Sequence, residues 1–301
     1  MCPLAAPGVS LLQRLSSGAP LISDGATWTY LRRHGLESWD CPEAFNVTHP
    51  EAVQAMARDY FTAGTDMVLT NSFGGNRFIL GKYGYGDRVR ELNMLAAQHA
   101  RSQAAAAHYV VGSVGPTGES LHPLGRVSAS EMLDAFIEQM TALEEGGADG
   151  VVIETMRMVE EAVVAIKAAK QHTRLVVMAT MVFEKRHDGF VTMTGARPHE
   201  VVRALQAAGA DVMGANCGAC SDDMVAVARQ FKAATDGYTL MHLNAGIPSI
   251  KDAEIVYPES PDYMASRFKA LADIGITIIG GCCGTGPDHI RALARALRGG
   301  P

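Results

Sequence analysis

The sequence predicts an α/β chain folded as a (β/α)8 TIM barrel, a single domain over residues 1–301 with residues 1–20 as an N-terminal extension. Three observations predict it. Eight nearly continuous apolar runs, rich in Val, Ile, Met and Leu, alternate with stretches of helical spacing, as strands covered on both faces require. Several helical stretches end in one shared phrase: Ala63-Gly64-Thr65-Asp66, Gly147-Ala148-Asp149-Gly150, Ala208-Gly209-Ala210-Asp211 and Asp273-Ile274-Gly275-Ile276. In each, glycine supplies a left-handed helix cap and the following residues launch a strand. Finally, polar or glycine residues follow the apolar runs nearly every time, at the barrel face where active sites are built. An open doubly wound sheet is the competing architecture.

The elements follow in order. Leu21–Asp24 is the first run and leads into Gly25; a helix over Glu51–Gly64 opens after Pro50. Asp66–Ser72 carries Thr70-Asn71-Ser72-Phe73 at its end, and Asp87–Ala107 has an Ala-rich helical face. Tyr109–Gly115 leads into Gly115-Pro116-Thr117-Gly118-Glu119, then Ser130–Gly146 starts with a serine cap and ends at Gly-Gly. Gly150–Thr155 places Glu154 at its end before the helix Met158–His172. Leu175–Phe183, with Glu184 beyond it, precedes Pro198–Gly209. Asp211–Cys217 precedes Asp222–Ala234, and Tyr238–Asn244 precedes Ser260–Gly275. Ile276–Cys282 closes the series before Pro287–Leu297.

Bulk properties restrict the function. A formal charge of −6 with no long Lys/Arg run argues against nucleic acid. The apolar stretches are too short to cross a bilayer. Pro3, Pro7, Gln13, Arg14 and Pro20 interrupt any signal-peptide core, so a cytoplasmic location is expected. Six cysteines in such a chain do not make a secreted disulfide framework. Taken singly, Cys2 and Cys41 read as small buried hydrophobes.

Cys217 and the adjacent pair Cys282 and Cys283 each stand just past an apolar strand-like run. Three thiolates delivered to one barrel mouth describe a zinc site with an open fourth position, an arrangement of catalysis more than of structure. Adjacent residues of a regular strand point to opposite faces, so the chain must leave strand geometry at Cys282 and Cys283. Gly280, Gly281 and Gly284 allow that, as Gly218 does after Cys217. Cys220, spaced Cys-x-x-Cys from Cys217, is the rival ligand and keeps a closed four-cysteine structural site open. Three thiolates make zinc a weak acid toward water but a good anchor for a further thiolate. A free thiol of pKa about 8.5 is only a few per cent ionised at neutral pH, and a shift of roughly 1.5 units is worth about 2 kcal/mol. The implied chemistry is thiol alkylation.

Asp24-Gly25-Ala26, Thr70 to Phe73, Gly115 to Gly118, Asn216-Cys217-Gly218, Asn244-Ala245-Gly246 and Gly280 to Thr285 resemble the homocysteine S-methyltransferase family from about Leu21 to Leu297. That family includes betaine–homocysteine methyltransferases, S-methylmethionine-dependent enzymes and the homocysteine-binding module of cobalamin-dependent methionine synthase. The resemblance implies a zinc barrel that methylates homocysteine to methionine, with Cys217, Cys282 and Cys283 as ligands. It implies Glu154 as the acid that receives the homocysteine amino group and Asp24 as the other acid near the amino-acid moiety, with Gly25, Asn216 and Asn244 also in the substrate site. Backbone amides around Ala26 and Thr27 are candidates for the substrate carboxylate.

Residues Thr70 to Arg77 and Asp87 to Asn93 look most like bacterial stand-alone enzymes assigned to betaine. A quaternary ammonium donor calls for an aromatic cage, for which Trp39 and Phe73, with Trp28 and Tyr30, are the candidates. Gly74 departs from the animal-type betaine enzymes, which have an aromatic residue there. The competing donors are a methylated corrinoid protein, separate from this chain, and a sulfonium compound such as S-methylmethionine or dimethylsulfoniopropionate. A non-catalytic zinc-binding or redox-sensing protein is the alternative of another class.

Overall fold

A computed structural model describes residues 8–251 and 254–299. Eight parallel strands form its centre: β1 (Leu21–Ile22), β2 (Met67–Leu69), β3 (Tyr109–Val114), β4 (Gly150–Met156), β5 (Val176–Met181), β6 (Val212–Asn216), β7 (Tyr238–Leu243) and β8 (Ile278–Gly281). The order around the sheet is β1-β8-β7-β6-β5-β4-β3-β2. Between β2 and β1 the seam is closed by Asp66 N–H to the Ile22 carbonyl (2.8 Å) and by two side chains. Asp66 Oδ2 accepts from Ile22 N (2.7 Å), and Asp24 Oδ2 accepts from Leu69 N (2.7 Å). This is the expected barrel rather than an open sheet. Superposition on solved barrels, given below, agrees.

The shared phrase does two jobs. Gly64, Gly147, Gly209 and Gly275 take left-handed backbone with φ of 105°, 98°, 101° and 92°, as expected. The aspartate after the glycine then sets strand register. Asp66, Asp149 and Asp211 each donate their amide to the preceding strand's carbonyl and accept that residue's amide on Oδ2, at Ile22, Val110 and Val177. In the fourth phrase Thr277 takes the same part against Thr239.

Helices follow the strands at Pro50–Ala63, Val89–Gln103, Ala129–Glu145, Val159–His172, Pro198–Ala208, Ser221–Ala234, Pro261–Ile274 and Pro287–Arg298. The serine cap is Ser128, not Ser130: Ser128 accepts from Glu131 N, and Glu131 reaches back to the Ser128 amide. Ser130 lacks an acid three residues on, so only Ser128 makes the reciprocal box. Two antiparallel hairpins, Glu184–Arg186 with Gly189–Val191 and Ser249–Lys251 with Glu254–Val256, rise after β5 and β7.

Inside the barrel pack Leu21, Met67, Tyr109, Val111, Val152, Met178, Val212, Leu240 and Ile278. Leu11 and Leu15 of the short helix Leu11–Leu15 join this cluster, so part of the N-terminal stretch is core. Gly150, where β4 begins, lies against Leu11, which places that helix at the lower end. Strand alternation from this floor directs Ser113, Glu154, Asn216 and His242 into the upper interior. The register sets Asn216 and Gly280 beside His242. Among the described residues no helix is long and apolar enough to cross a membrane.

Candidate functional site

Cys217 follows β6 in left-handed backbone (φ 59°), with Gly218 left-handed behind it (φ 72°). A Cβ on Gly218 would lie 2.5 Å from Val182 Cγ1, so the chain turns there only without a side chain. After β8, Cys282 N donates to the Leu243 carbonyl (2.7 Å), and Thr285 returns both N and Oγ1 to the Cys282 carbonyl (3.1 and 2.7 Å). A Cβ on Gly281 would meet Thr285 Oγ1 at 2.1 Å, and one on Gly284 would meet the Tyr257 ring at 2.1 Å. The glycines therefore make the turn that lets adjacent cysteines share one side.

The three sulfurs lie within 4.8 Å of one another, with Cys217 Sγ to Cys283 Sγ at 3.8 Å. A tetrahedral metal with metal–sulfur bonds of about 2.3 Å sets its sulfurs about 3.8 Å apart. The Cys282 and Cys283 thiols hydrogen-bond Cys217 and hold its thiol far below the usual range; the same sharing pushes theirs up. Asn244 is buried, helps hold the Cys217 thiol down, and has an Oδ1 without a partner among the described residues. A thiolate cluster beside an orphaned oxygen fits a thiophilic cation. Cys220 instead stands at the N-cap of Ser221–Ala234 and is not in the cluster, so the closed four-cysteine arrangement does not form. Cys41 is buried, as expected; Cys2 lies outside the described residues.

Glu154 is buried and accepts from Ser113 Oγ (2.5 Å) and Asn216 Nδ2 (3.4 Å). Burial pushes its carboxyl up to about 7 against the Ser113 bond, and Cys217 adds to the rise. Asn216 also clamps Thr155, a non-glycine residue at φ 60°: Oδ1 accepts from Thr155 N and Nδ2 donates to Thr155 Oγ1, each at 2.8 Å. Thr180 Oγ1 donates to the same Oδ1 (2.7 Å), and Nδ2 approaches Cys282 Sγ at 3.7 Å. One amide thus spans the carboxylate and the sulfur cluster. Asp24, at the barrel seam, is pushed up to about 7 by burial, opposed by the Leu69 amide and helped by Glu154.

A cavity of about 270 Å³ opens over the sulfurs. Gly25, Phe73, Glu154, Cys217, Cys282 and Cys283 line it, whereas Asp24, Asn216 and Asn244 stand behind its wall. Trp39 is not brought in: it is 75% exposed and absent from the lining, because the 3-10 turn Pro42–Ala44 carries the chain inward only after it. Trp28 joins Phe73 in the cavity, while Tyr30 turns away to donate to Asp59 Oδ2 (2.6 Å). The Ala26 amide is already spent on the Thr285 carbonyl (3.2 Å). Gly74 has a local reason: a Cβ there would lie 2.9 Å from Ile79 Cγ2 and 3.1 Å from Glu43 Oε1.

Among the lining residues that the sequence does not single out are Glu43, Ser113 and His242. His242 is 1% exposed, its Nε2 has no partner, and burial pushes it down to about 4. A histidine two residues beyond Leu240 in an apolar strand is a signal the sequence does contain. Glu43 sits in a loop where no period marks it.

The family model described as homocysteine S-methyltransferase matches residues 21–297. The methionine synthases of Mycobacterium leprae and Mycobacterium tuberculosis are each 31% identical over 92% of this chain. The chain spans 24% of the length of those relatives. The metallated crystal form of homocysteine methyltransferase MmuM from Escherichia coli superposes with a TM-score of 0.77 at 22% identity, covering 93% of this chain and 97% of that one. A methyltransferase from Methanosarcina mazei superposes at 0.60 with 12% identity, covering 93% of each chain.

Proposed function

This chain belongs to the homocysteine S-methyltransferase family, and we propose from that premise that it uses zinc to move a methyl group from a small onium donor, first of all glycine betaine, to the sulfur of homocysteine. The observation that carries the reading is the sulfur cluster, with all three sulfurs within 4.8 Å of one another and Cys217 and Cys283 3.8 Å apart, as one tetrahedral ion would need. Cys217, Cys282 and Cys283 would hold zinc, with the Asn244 oxygen at hand, and zinc would keep the substrate sulfur ionised and nucleophilic at neutral pH.

The chain's own residues supply the rest. Glu154, fixed by Ser113 and Asn216, receives the homocysteine ammonium; its raised carboxyl ionises when that cation arrives. Asp24 stands behind the wall and holds the seam; like Glu154 it is pushed up by burial and adds negative charge only as it ionises. Thr27, the first residue of Thr27–Arg32, lines the cavity and offers its amide to the substrate carboxylate. Trp28 and Phe73 present aromatic surface to the onium group. In the transfer a sulfur lone pair forms the S–CH3 bond as the C–N bond breaks, and its electron pair stays on nitrogen. Methionine leaves, with a tertiary amine whose nitrogen is uncharged and which, from betaine, keeps the donor's own carboxylate.

A methylated corrinoid protein is the second reading, favoured by methionine synthases four times this length among the relatives. The test is methionine formation by the zinc-loaded protein with homocysteine and betaine, S-methylmethionine, dimethylsulfoniopropionate or methylcobalamin in parallel. Betaine is expected to serve. Product from methylcobalamin alone selects the second reading, and no product from any donor despite bound zinc overturns the homocysteine assignment. Cys217→Ala is expected to lose both zinc and activity while Cys220→Ala keeps both; the reverse result would move the ligand assignment.

A further inference from the structure

The sulfur-containing cavity has a second buried carboxylate that the chemistry above leaves unused. Glu43 lies in the turn Pro42–Ala44, is 3% exposed, and lines the same cavity as Cys217, Cys283, Trp28 and Phe73. Its oxygens are held only by neutral donors: Gly74 N gives to Oε1 (2.6 Å), and the Cys41 thiol gives to Oε2 (3.3 Å). Among the described residues no lysine, arginine or histidine pairs with it. Burying a carboxylate without a countercharge is expensive, so burial pushes the Glu43 carboxyl up against the Gly74 and Cys41 bonds, and a cation entering the cavity would favour its ionised form.

The surrounding chain is arranged to keep this carboxylate in place. Asn71 Nδ2 donates to the Pro42 carbonyl (2.6 Å) and anchors the turn to the end of β2. Gly74 leaves room for the Glu43 head group, and Gly115 leaves room for the Phe73 ring, which a Cβ there would meet at 2.7 Å. A buried carboxylate together with aromatic faces is a receptor for a cation that carries methyl groups. Two cations enter the cavity in the proposed reaction, and it holds two carboxylates. Glu154 beside Ser113 and Asn216 takes the ammonium of the amino acid.

We infer that Glu43 determines donor specificity, its carboxylate holding the positive charge of an onium methyl donor and selecting cationic over neutral donors. The inference rests on the methyl-transfer reading above. As the C–N bond breaks and its pair stays on nitrogen, the donor loses its charge and with it the attraction to Glu43. The charge is partly lost already in the transition state, so removal of the carboxylate weakens donor binding more than it slows the step.

The test uses the zinc-loaded full chain and Glu43→Gln, which keeps an oxygen for the Gly74 amide, with Glu43→Asp as the variant that keeps the charge. Homocysteine affinity and melting temperature should hold in both, while the KM for the onium donor rises at least about tenfold in Glu43→Gln and recovers in part in Glu43→Asp. Methylation of homocysteine by methyl iodide, a neutral donor, should be unchanged. Equal loss with methyl iodide and the onium donor, or an unchanged donor KM, overturns the inference. If neither variant folds, wild-type inhibition decides it. Choline must compete with the donor at least about tenfold better than its uncharged isostere with a quaternary carbon for nitrogen, and equal inhibition overturns the inference. Wild-type protein that methylates homocysteine with neither methyl iodide nor any onium fails the underlying reading instead, which keeps the two failures apart.

Discussion

Asp24 shows how one buried side chain can tie the barrel and the site together. Its Oδ2 closes the seam at Leu69, and it feels the charge of Glu154. The folded carboxyl keeps its proton up to about 7, whereas the unfolded one releases it near the ordinary value of 3.8. Between those values the folded state binds the more protons, so stability falls as pH rises. The contribution is complete below the unfolded value and gone above about 7. Denaturant unfolding of the substrate-free protein across that range should show the fall, and Asp24→Asn, which still accepts from Leu69, should flatten it. A variant with the wild-type slope assigns the effect elsewhere. At this scale the cysteines and Glu154 are legible because their chemistry is rare at strand ends. Trp39 shows the limit: its residue type suits a cage, yet only the path of the loop leaves it at the surface.

At the scale of elements, the aspartate phrase launches strands by offering a carboxylate to the neighbouring strand's amide. Arg101, buried against Asp149 and the Gly147 carbonyl, braces one such junction. Lys170 braces another at Asp211 (3.0 Å) with its side chain 38% exposed. Removing one partner of a buried pair leaves an uncompensated charge and costs about 3–5 kcal/mol, whereas an exposed pair is worth at most about 1 kcal/mol. Urea unfolding should therefore find Arg101→Ala much the more damaging of Arg101→Ala and Lys170→Ala; equal effects would count against register-setting at Asp149. The glycine half of the phrase can be read from sequence because left-handed backbone is a local demand. The aspartate half cannot, since its partner belongs to another strand. The same distinction separates Ser128 from Ser130: the local pattern Ser-x-x-Glu was available, and it decides the cap.

For the whole molecule, the barrel is filled from both ends: Leu11 and Leu15 join the apolar floor, and the polar layer of Ser113, Glu154, Asn216 and His242 lies above it. Leu15 is 1% exposed, and Leu15→Ala should cost about 2–5 kcal/mol in unfolding free energy while homocysteine affinity stays at the wild-type value. A loss of affinity equal to the loss of stability would mean that the lower plug and the mouth are not separable. By itself the sequence determined the alternation of strands and helices, the left-handed caps, and Cys217, Cys282 and Cys283 as candidates for one metal site. Those follow from hydrophobic period, from glycine's conformational freedom and from the affinity of thiolates for metal, all of which are properties of residue type and spacing. Only the tertiary structure decided that Cys220 stays out, that Trp28 rather than Trp39 lines the cavity over the sulfurs, and that Glu43 is buried with no cationic side chain paired to it among the described residues. These depend on where loops from different strands meet, and no local preference carries that information.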